Sequence, residues 1–359
     1  MNDRPRPVIR FSVSLKLLLF VLTGLFTVVS VPTWLNLRSA EDRDRQEAER
    51  ELVALYNDFN EQVNVMNDAA ASLATGFADR PDVKQALINR DRETLLDLLG
   101  PIFSSLNENY AITHLYVYEP NGRSLVAVHN PDNYGVFSDM RPMIREAMET
   151  HQTVAGVEID PNRLGVRGVT PVFQDGEYIG LIEVGMDYDQ PLIDDLKARR
   201  TADYRMWVAY GAAALPGLWP TGQNIPSPSA SLFFYASTYP LDFFLSAAVY
   251  EDALLNNRQH FQAVQYDGEA LVVLVAPMKG YGGQTIGVLE IIRSREAALK
   301  ALREDQTTTL FAAGVLMLLG LLFMLLVINN VVVRPLHHLT VIAERQIQGD
   351  LTAQVTHLP

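Results

Sequence analysis

Arg167 is the residue whose surroundings most demand a chemical explanation. It sits inside Leu164 to Val172, an apolar run containing glycines on both sides of it, where a guanidinium needs a buried partner. Glu158 and Glu183 are the acids able to supply one, which would make the arginine structural. A bound carboxylate, held by two hydrogen bonds from the guanidinium fork, is the other way to satisfy it. Nothing else is arranged for turnover. The seven histidines are scattered, with only His337 and His338 adjacent, and show no metal-ligand spacing. Gly280, Gly282 and Gly283 lack the Lys-Ser/Thr ending of a phosphate loop and lie between two expected strands, so they read as a flexible hairpin tip. Ser227 and Ser229 stand among Pro and Gly with no base beside them. The absence of cysteine excludes disulfides and thiolate metal sites. The expectation is a chain without catalytic residues, metal or cofactor, whose chemistry is binding.

The elements that must hold such an arginine are strands. His114 to Tyr118 and Ser124 to Val128 flank Asn121-Gly122; Val166 to Val172 and Tyr178 to Val184 flank Asp175-Gly176; Phe261 to Tyr266 and Ala270 to Ala276 flank Asp267-Gly268. Each is a hairpin signal. Further strands are expected around Tyr204 to Tyr210 and Leu232 to Tyr235, with a helical bridge near Pro191 to Arg199. Two of the strand pairs echo one another. Val169-Thr170-Pro171 with Ile179-Gly180-Leu181-Ile182-Glu183-Val184 returns as Val275-Ala276-Pro277 with Ile286-Gly287-Val288-Leu289-Glu290-Ile291, Gly preceding Glu by three residues in both. Two diverged copies of one hairpin imply two α+β modules in series.

Ahead of the sheets, Ala40 to about Ala78 reads as one helix. Leu52, Leu55, Phe59, Val63, Met66, Ala70, Leu73 and Phe77 step by three or four along it, and at 1.5 Å per residue it is roughly 50–60 Å long. The charged stretch Glu41 to Glu51 is its solvated base, and Asp82 to Leu99 is a second amphipathic segment.

Two uncharged runs are long enough to cross a bilayer, Leu17 to Leu35 and Leu310 to Val333. The first competes with a cleaved signal peptide, but Pro32 and Trp34 mark an interfacial end and Arg38 spoils the nearest cleavage pattern, so an anchor is expected. Arg4, Arg6, Arg10 and Lys16 against Asp3 keep the tail cytoplasmic. Of 29 basic and 42 acidic residues, 23 and 39 then lie between the spans, a net charge of −16, which disfavours nucleic acid as a partner.

The stretches His129-Asn130-Pro131-Asp132-Asn133-Tyr134-Gly135, Arg141-Pro142, Gly156-Val157-Glu158, Leu164 to Val172 and Gly180 to Asp187 resemble the first module of a double Cache sensor. This is the tandem PAS-like extracytoplasmic domain of chemoreceptors, sensor histidine kinases and membrane diguanylate cyclases, and the likeness is greatest to a subgroup seen in methyl-accepting chemotaxis proteins. Pro277 to Glu290 resembles the end of the second module. Val333-Arg334-Pro335-Leu336 and Gly349-Asp350-Leu351-Thr352 are similar to the first helix and connector of a HAMP domain; Leu336, Leu339, Ala343 and Ile347 form a coiled-coil seam that Gly349 stops. The chain ends before a second HAMP helix, so it reads as a fragment or a truncated receptor.

The resemblance implies an α+β fold: a cytoplasmic tail (1–16), a first membrane helix (17–37), a stalk and helical lead-in (38–100), a membrane-distal Cache module (101–200), a membrane-proximal one (201–305), a second membrane helix (306–333) and a partial HAMP domain (334–359). It implies a multi-pass protein of the bacterial inner membrane, homodimeric, with its large domain in the periplasm and signalling partners reached through an output domain beyond residue 359. It places ligand in the first module. Transferred to this chain, that points to Tyr116, His129, Tyr134, Arg141, Glu158, Arg167 and Asp187, and to a small carboxylate as ligand. A chemoreceptor is the first expectation, a histidine kinase or diguanylate cyclase the second, and a membrane-tethered binding protein without output the third.

Overall fold

The computed structural model describes residues 13–159, 164–210, 226–241, 243–335 and 339–340. One compact unit comprises Ala48–Glu296, and the flanking segments form another. Within the first unit, strands β1 (His114–Tyr118), β2 (Ser124–Ala127), β3 (Val154–Ile159), β4 (Leu164–Gln174) and β5 (Glu177–Asp187) make an antiparallel sheet of order β2-β1-β5-β4-β3. Strands β6 (Asp203–Ala209), β7 (Leu232–Ser237), β8 (His260–Tyr266), β9 (Glu269–Lys279) and β10 (Thr285–Ser294) repeat it as β7-β6-β10-β9-β8. The Asp-Gly turns form as their chemistry requires: Asp175 and Gly176 have φ of 51° and 86°, Asp267 and Gly268 of 46° and 83°. Two successive left-handed residues twist the chain the way paired strands need.

The sequence echo is a structural one. Pro171 faces Leu181 in the first sheet and Pro277 faces Val288 in the second, and next to each pair the register shifts. A Cβ at Gly180 would overlap the carbonyl oxygen of Tyr118, and one at Gly287 that of Trp207. Glycine is therefore demanded by the same close approach at the same place in both copies.

Helix α1 (Val13–Ala78) carries the two sheets. Leu52, Phe59, Val63, Ala70, Ala74 and Phe77 are buried, as its three-four stripe predicts. Its earlier turns meet the second module: Tyr56 Oη donates to the Pro277 carbonyl at 2.7 Å, and Glu51 pairs with Arg293 at 2.7 Å. Its last turns meet the first module, where the Thr75 and Thr170 hydroxyls are 3.2 Å apart and Gly168 of β4 lies directly against the backbone of Ala70 and Ala71.

The segment read as one amphipathic stretch is two helices, α2 (Pro81–Ile88) and α3 (Arg92–Tyr110). Arg90 at φ 52° breaks the chain, and the Asp91 carboxylate accepts from the Thr94 amide at 3.0 Å to cap α3. Helix α3 continues through Pro101, so the helical lead-in extends ten residues beyond the expected boundary at residue 100. Helices α4 (Pro142–Thr150), α5 (Gln190–Arg199) and α6 (Ala247–Asn256) complete the two modules. Only Arg295 separates β10 from α7 (Glu296–Ile328), which a π-helical turn, Asn329–Val333, extends.

Among the described residues one helix is long and apolar enough to cross a membrane, Glu296–Val331, with a mean hydropathy of 2.9 over its most apolar stretch. The other apolar run, Leu17 to Leu35, is helical within α1, which continues through Pro32. The basic tail up to residue 12 and the expected HAMP positions Leu336, Ala343, Ile347 and Gly349 lie outside the described residues.

Candidate functional site

In a strand, alternate residues share a face, and directly paired residues of neighbouring strands share it too. In the first sheet Tyr116 faces Glu183, Arg167 faces Gly185, and Gly165 faces both Asp187 and Glu158. The four sheet-borne candidates Tyr116, Glu158, Arg167 and Asp187 therefore share one face. The opposite face, with Leu115, Val117, Ile182, Val184 and Val166, belongs to the core cluster that includes α1. Over the polar face lie α4, through Met143, Ile144 and Ala147, and the connection from β2 that brings in His129 and Arg141.

Glu183 is the hub. Arg141 donates to it through Nη1 and Nη2 at 2.9 and 2.8 Å, and Tyr118 Oη donates at 2.7 Å. Arg167 Nε stands 3.5 Å from the same carboxylate. Arg141 also donates to Glu158 Oε2 from Nε and Nη2, at 3.0 and 2.6 Å, so one guanidinium bridges two carboxylates. The second oxygen of Glu158 accepts from the Met143 amide at 3.0 Å, capping α4 where the helix dipole favours an anion. Arg141 immediately precedes α4, and its side chain turns inward, 13% exposed, instead of facing water.

Arg167 lies across Gly185, where a Cβ would collide with it, and its Nη1 approaches His114 Nδ1 at 3.3 Å and the Met186 carbonyl at 3.4 Å. Asp187 stands 3.4 Å from the same His114 nitrogen. His129 packs edge-on against His114 and Tyr116, ring centroids 4.6 Å away in each case, with Nδ1 3.3 Å from the Leu115 backbone.

The electrostatics follow from this packing. Burial pushes the Glu183 carboxyl up, but the charge and hydrogen bonds of Arg141, with Arg167 and Tyr118, outweigh it and hold the group below the ordinary glutamate range. Burial opposes the charge of Arg141, and Glu183 and Glu158 more than restore it. Burial lowers His129, favouring the neutral ring. The site gathers three acidic side chains, Glu158, Glu183 and Asp187, around two guanidiniums.

Tyr134 is placed apart from this cluster. It is 55% exposed, with the Arg92 guanidinium 3.9 Å over its ring and Arg92 also bonded to the Pro131 carbonyl. Three members were not singled out as site residues from the sequence: His114, Tyr118 and Glu183. All lie an even number of residues from Tyr116 or Asp187, so alternation along β1 and β5 was the available signal.

The second module keeps the position and changes the wiring. Glu290 stands where Glu183 does, faced by Arg205 in the place of Tyr116. Trp207 Nε1 and Arg205 Nη1 each lie 3.3 Å from Glu290 Oε2, and Tyr250 Oη donates to Oε1 at 3.1 Å. The Arg205 guanidinium is 4.7 Å from the Phe244 ring centroid and 5.4 Å from that of Tyr239, and it is bonded to the Pro240 carbonyl. Val273 and Ile292 replace the Arg167 and Gly185 pair. Burial raises the Glu290 carboxyl, and Arg205 only partly opposes it. Side chains of the second module already occupy this position.

No curated protein matches the chain. Solved structures similar to it include the sensor domain of the Vibrio cholerae histidine kinase DctB, 13% identical with a TM-score of 0.42, covering 69% of this chain and 98% of that one. The sensory domain of the Campylobacter jejuni chemoreceptor Tlp3 is 14% identical with a TM-score of 0.41, covering 73% and 96%. A family model described as the double sensory domain of two-component sensor kinases matches residues 45–299, which takes in α1 from its charged base, both sheets and the start of α7. This chain, with two PAS-like modules of one strand order on one long helix, belongs to that family and is a double Cache extracytoplasmic sensor.

Proposed function

We propose that the chain is a transmembrane signal transducer whose first module binds a small carboxylate-bearing metabolite between Arg141 and Arg167, without turnover, and reports it through β10 and α7. The carrying observation is that the guanidinium of the cover and that of the sheet converge on one carboxylate, Glu183. A ligand carboxylate that displaces Glu183 keeps both guanidiniums paired, while Glu183 retains the Tyr118 hydroxyl and takes up a proton as its arginine partners leave, so no buried ion is stranded. It also moves α4, because Arg141 is the residue from which that helix starts. Glu158, Asp187, Tyr116 and His129 supply the remaining polar and aromatic walls.

In this reading two copies pair, both apolar helices cross the inner membrane, and the Cache modules face the periplasm. A shift of about 1–2 Å in α7 then repacks a HAMP helix on the other side. Driving the switch from mostly off to mostly on takes roughly 5 kcal/mol of differential affinity. The family's description lends weight to a sensor kinase as the output, against the chemoreceptor that sequence resemblance ranks first.

The test is a melting screen of the full chain in lipid nanodiscs against mono- and dicarboxylates. A true ligand at a hundred times its dissociation constant stabilises by about 2.7 kcal/mol, and Arg167→Ala abolishes that shift. Stabilisation by no carboxylate, or a shift that survives Arg167→Ala, defeats the proposal; conversion of the stabilising compound would mark an enzyme instead.

A further inference from the structure

The glycine-rich tip between β9 and β10 is not a free loop. Tyr281 at that tip donates its backbone amide to the Val157 carbonyl of β3, the edge strand of the first module, at 2.7 Å. Its ring lies where a side chain at Gly156 would stand: a Cβ there would be 2.7 Å from Cδ2. The same ring packs against the cluster formed by Met143, Ile144 and Ala147 of α4 with Val154, Val169 and Leu181 of the sheet. Its phenol, pushed up to about 12 by burial and by the facing Glu146 of α4, stays neutral.

Tyr281 therefore touches the one helix that is tied to the ligand cluster at its start, through Arg141 and the Glu158 cap. Four residues later the chain enters β10, which runs into α7. Further contacts between the modules are of a different kind: Tyr235 Oη accepts from the Leu164 amide at 3.0 Å, bracing the first residue of β4, and Gln190 and Lys197 of α5 donate to the Ser237 and Thr238 carbonyls at 2.9 and 3.0 Å, none of them on the cover.

We propose that Tyr281 is the coupling residue of this sensor, the contact through which displacement of α4 in the first module reaches β10 and so α7. The proposal rests on the reading that α4 covers the ligand site, but its test needs no ligand. Glu158→Gln weakens the cap of α4 and its ion pair with Arg141, and hydrogen exchange of the full chain in nanodiscs reads the result strand by strand.

With Tyr281 in place, Glu158→Gln is expected to raise exchange about tenfold in both Pro142–Thr150 and Thr285–Ser294. With Tyr281→Ala, or with Gly156→Ala, which pushes the ring away without altering it, the rise in α4 remains and the rise in β10 disappears. Tyr235→Phe leaves both rises intact. The proposal is overturned if β10 fails to respond in the native background, if its response persists in both uncoupled variants, or if Tyr235→Phe abolishes it equally. A negative carboxylate screen would remove the ligand assignment and leave this result standing.

Discussion

Replacing Glu183 with alanine is expected to destabilise the Ala48–Glu296 unit by about 3–5 kcal/mol, because it takes a carboxylate from two buried guanidiniums at once. Arg141 retains Glu158, but Arg167 loses the carboxylate 3.5 Å from its Nε, and Tyr118 loses its acceptor. At about 2–4 °C per kcal/mol for a unit of this size, the melting temperature falls by roughly 6–20 °C. A loss below about 1 kcal/mol would show that the cluster is hydrated and open instead of buried.

The pH dependence carries a sign. Since the folded Glu183 carboxyl sits below its ordinary value, its stabilising contribution is fully present above the ordinary glutamate range and fades as pH falls through the folded value. Glu290 behaves in the opposite sense. Its folded carboxyl is raised, so ionising it costs stability as pH climbs through and above the ordinary range, and acid relieves that cost. Carbon-13 titration of the two side chains, with melting of wild type and Glu183→Gln across the same range, separates these contributions. The wild-type advantage over Glu183→Gln should vanish in acid; an advantage that grew there would contradict the pairing described.

Gly168→Val is expected to cost about 3 kcal/mol or more, because the new side chain meets the backbone of Ala70 and Ala71 and neither can yield. The strand is held between β3 and β5, and the helix is held by contacts to both modules. Gly176→Ala is the control. Its Cβ would meet nothing, so only the left-handed backbone at φ 86° is penalised, by about 1 kcal/mol. Hydrogen exchange should localise the Gly168→Val damage to the last turns of the buried α1 segment and to β4. Equal damage from the two substitutions would mean that helix and strand do not touch as described.

Much of this architecture was legible because its signals are local. The turns Asn121-Gly122, Asp175-Gly176 and Asp267-Gly268 announced hairpins, and the Gly-x-x-Glu echo announced a second α+β module, whose strand order the structure supplies. What escaped depended on longer-range facts. The break at Arg90 has no Gly or Pro to mark it, and α6 buries only Tyr250 and Ala253, too short a stripe to register as a period. In the site, Arg167 was flagged because a charge in an apolar strand is conspicuous. Glu183 was noticed only as its possible partner, because its role as hub depends on Arg141, forty-two residues away. Tyr134 shared a motif with His129 but faces solvent, since neighbours in a loop need not point the same way.

The matched sheets have a practical consequence for anyone measuring this receptor. Temperature, salt or detergent that perturbs the scaffold should register at Glu183 and Glu290 alike and regardless of Tyr281, whereas a change confined to the first module should register at Glu183 directly and at Glu290, within β10, only by way of Tyr281. One polypeptide thus carries a near and a far reporter, and the part of the Glu290 signal that vanishes in Tyr281→Ala is the part handed from one module to the other.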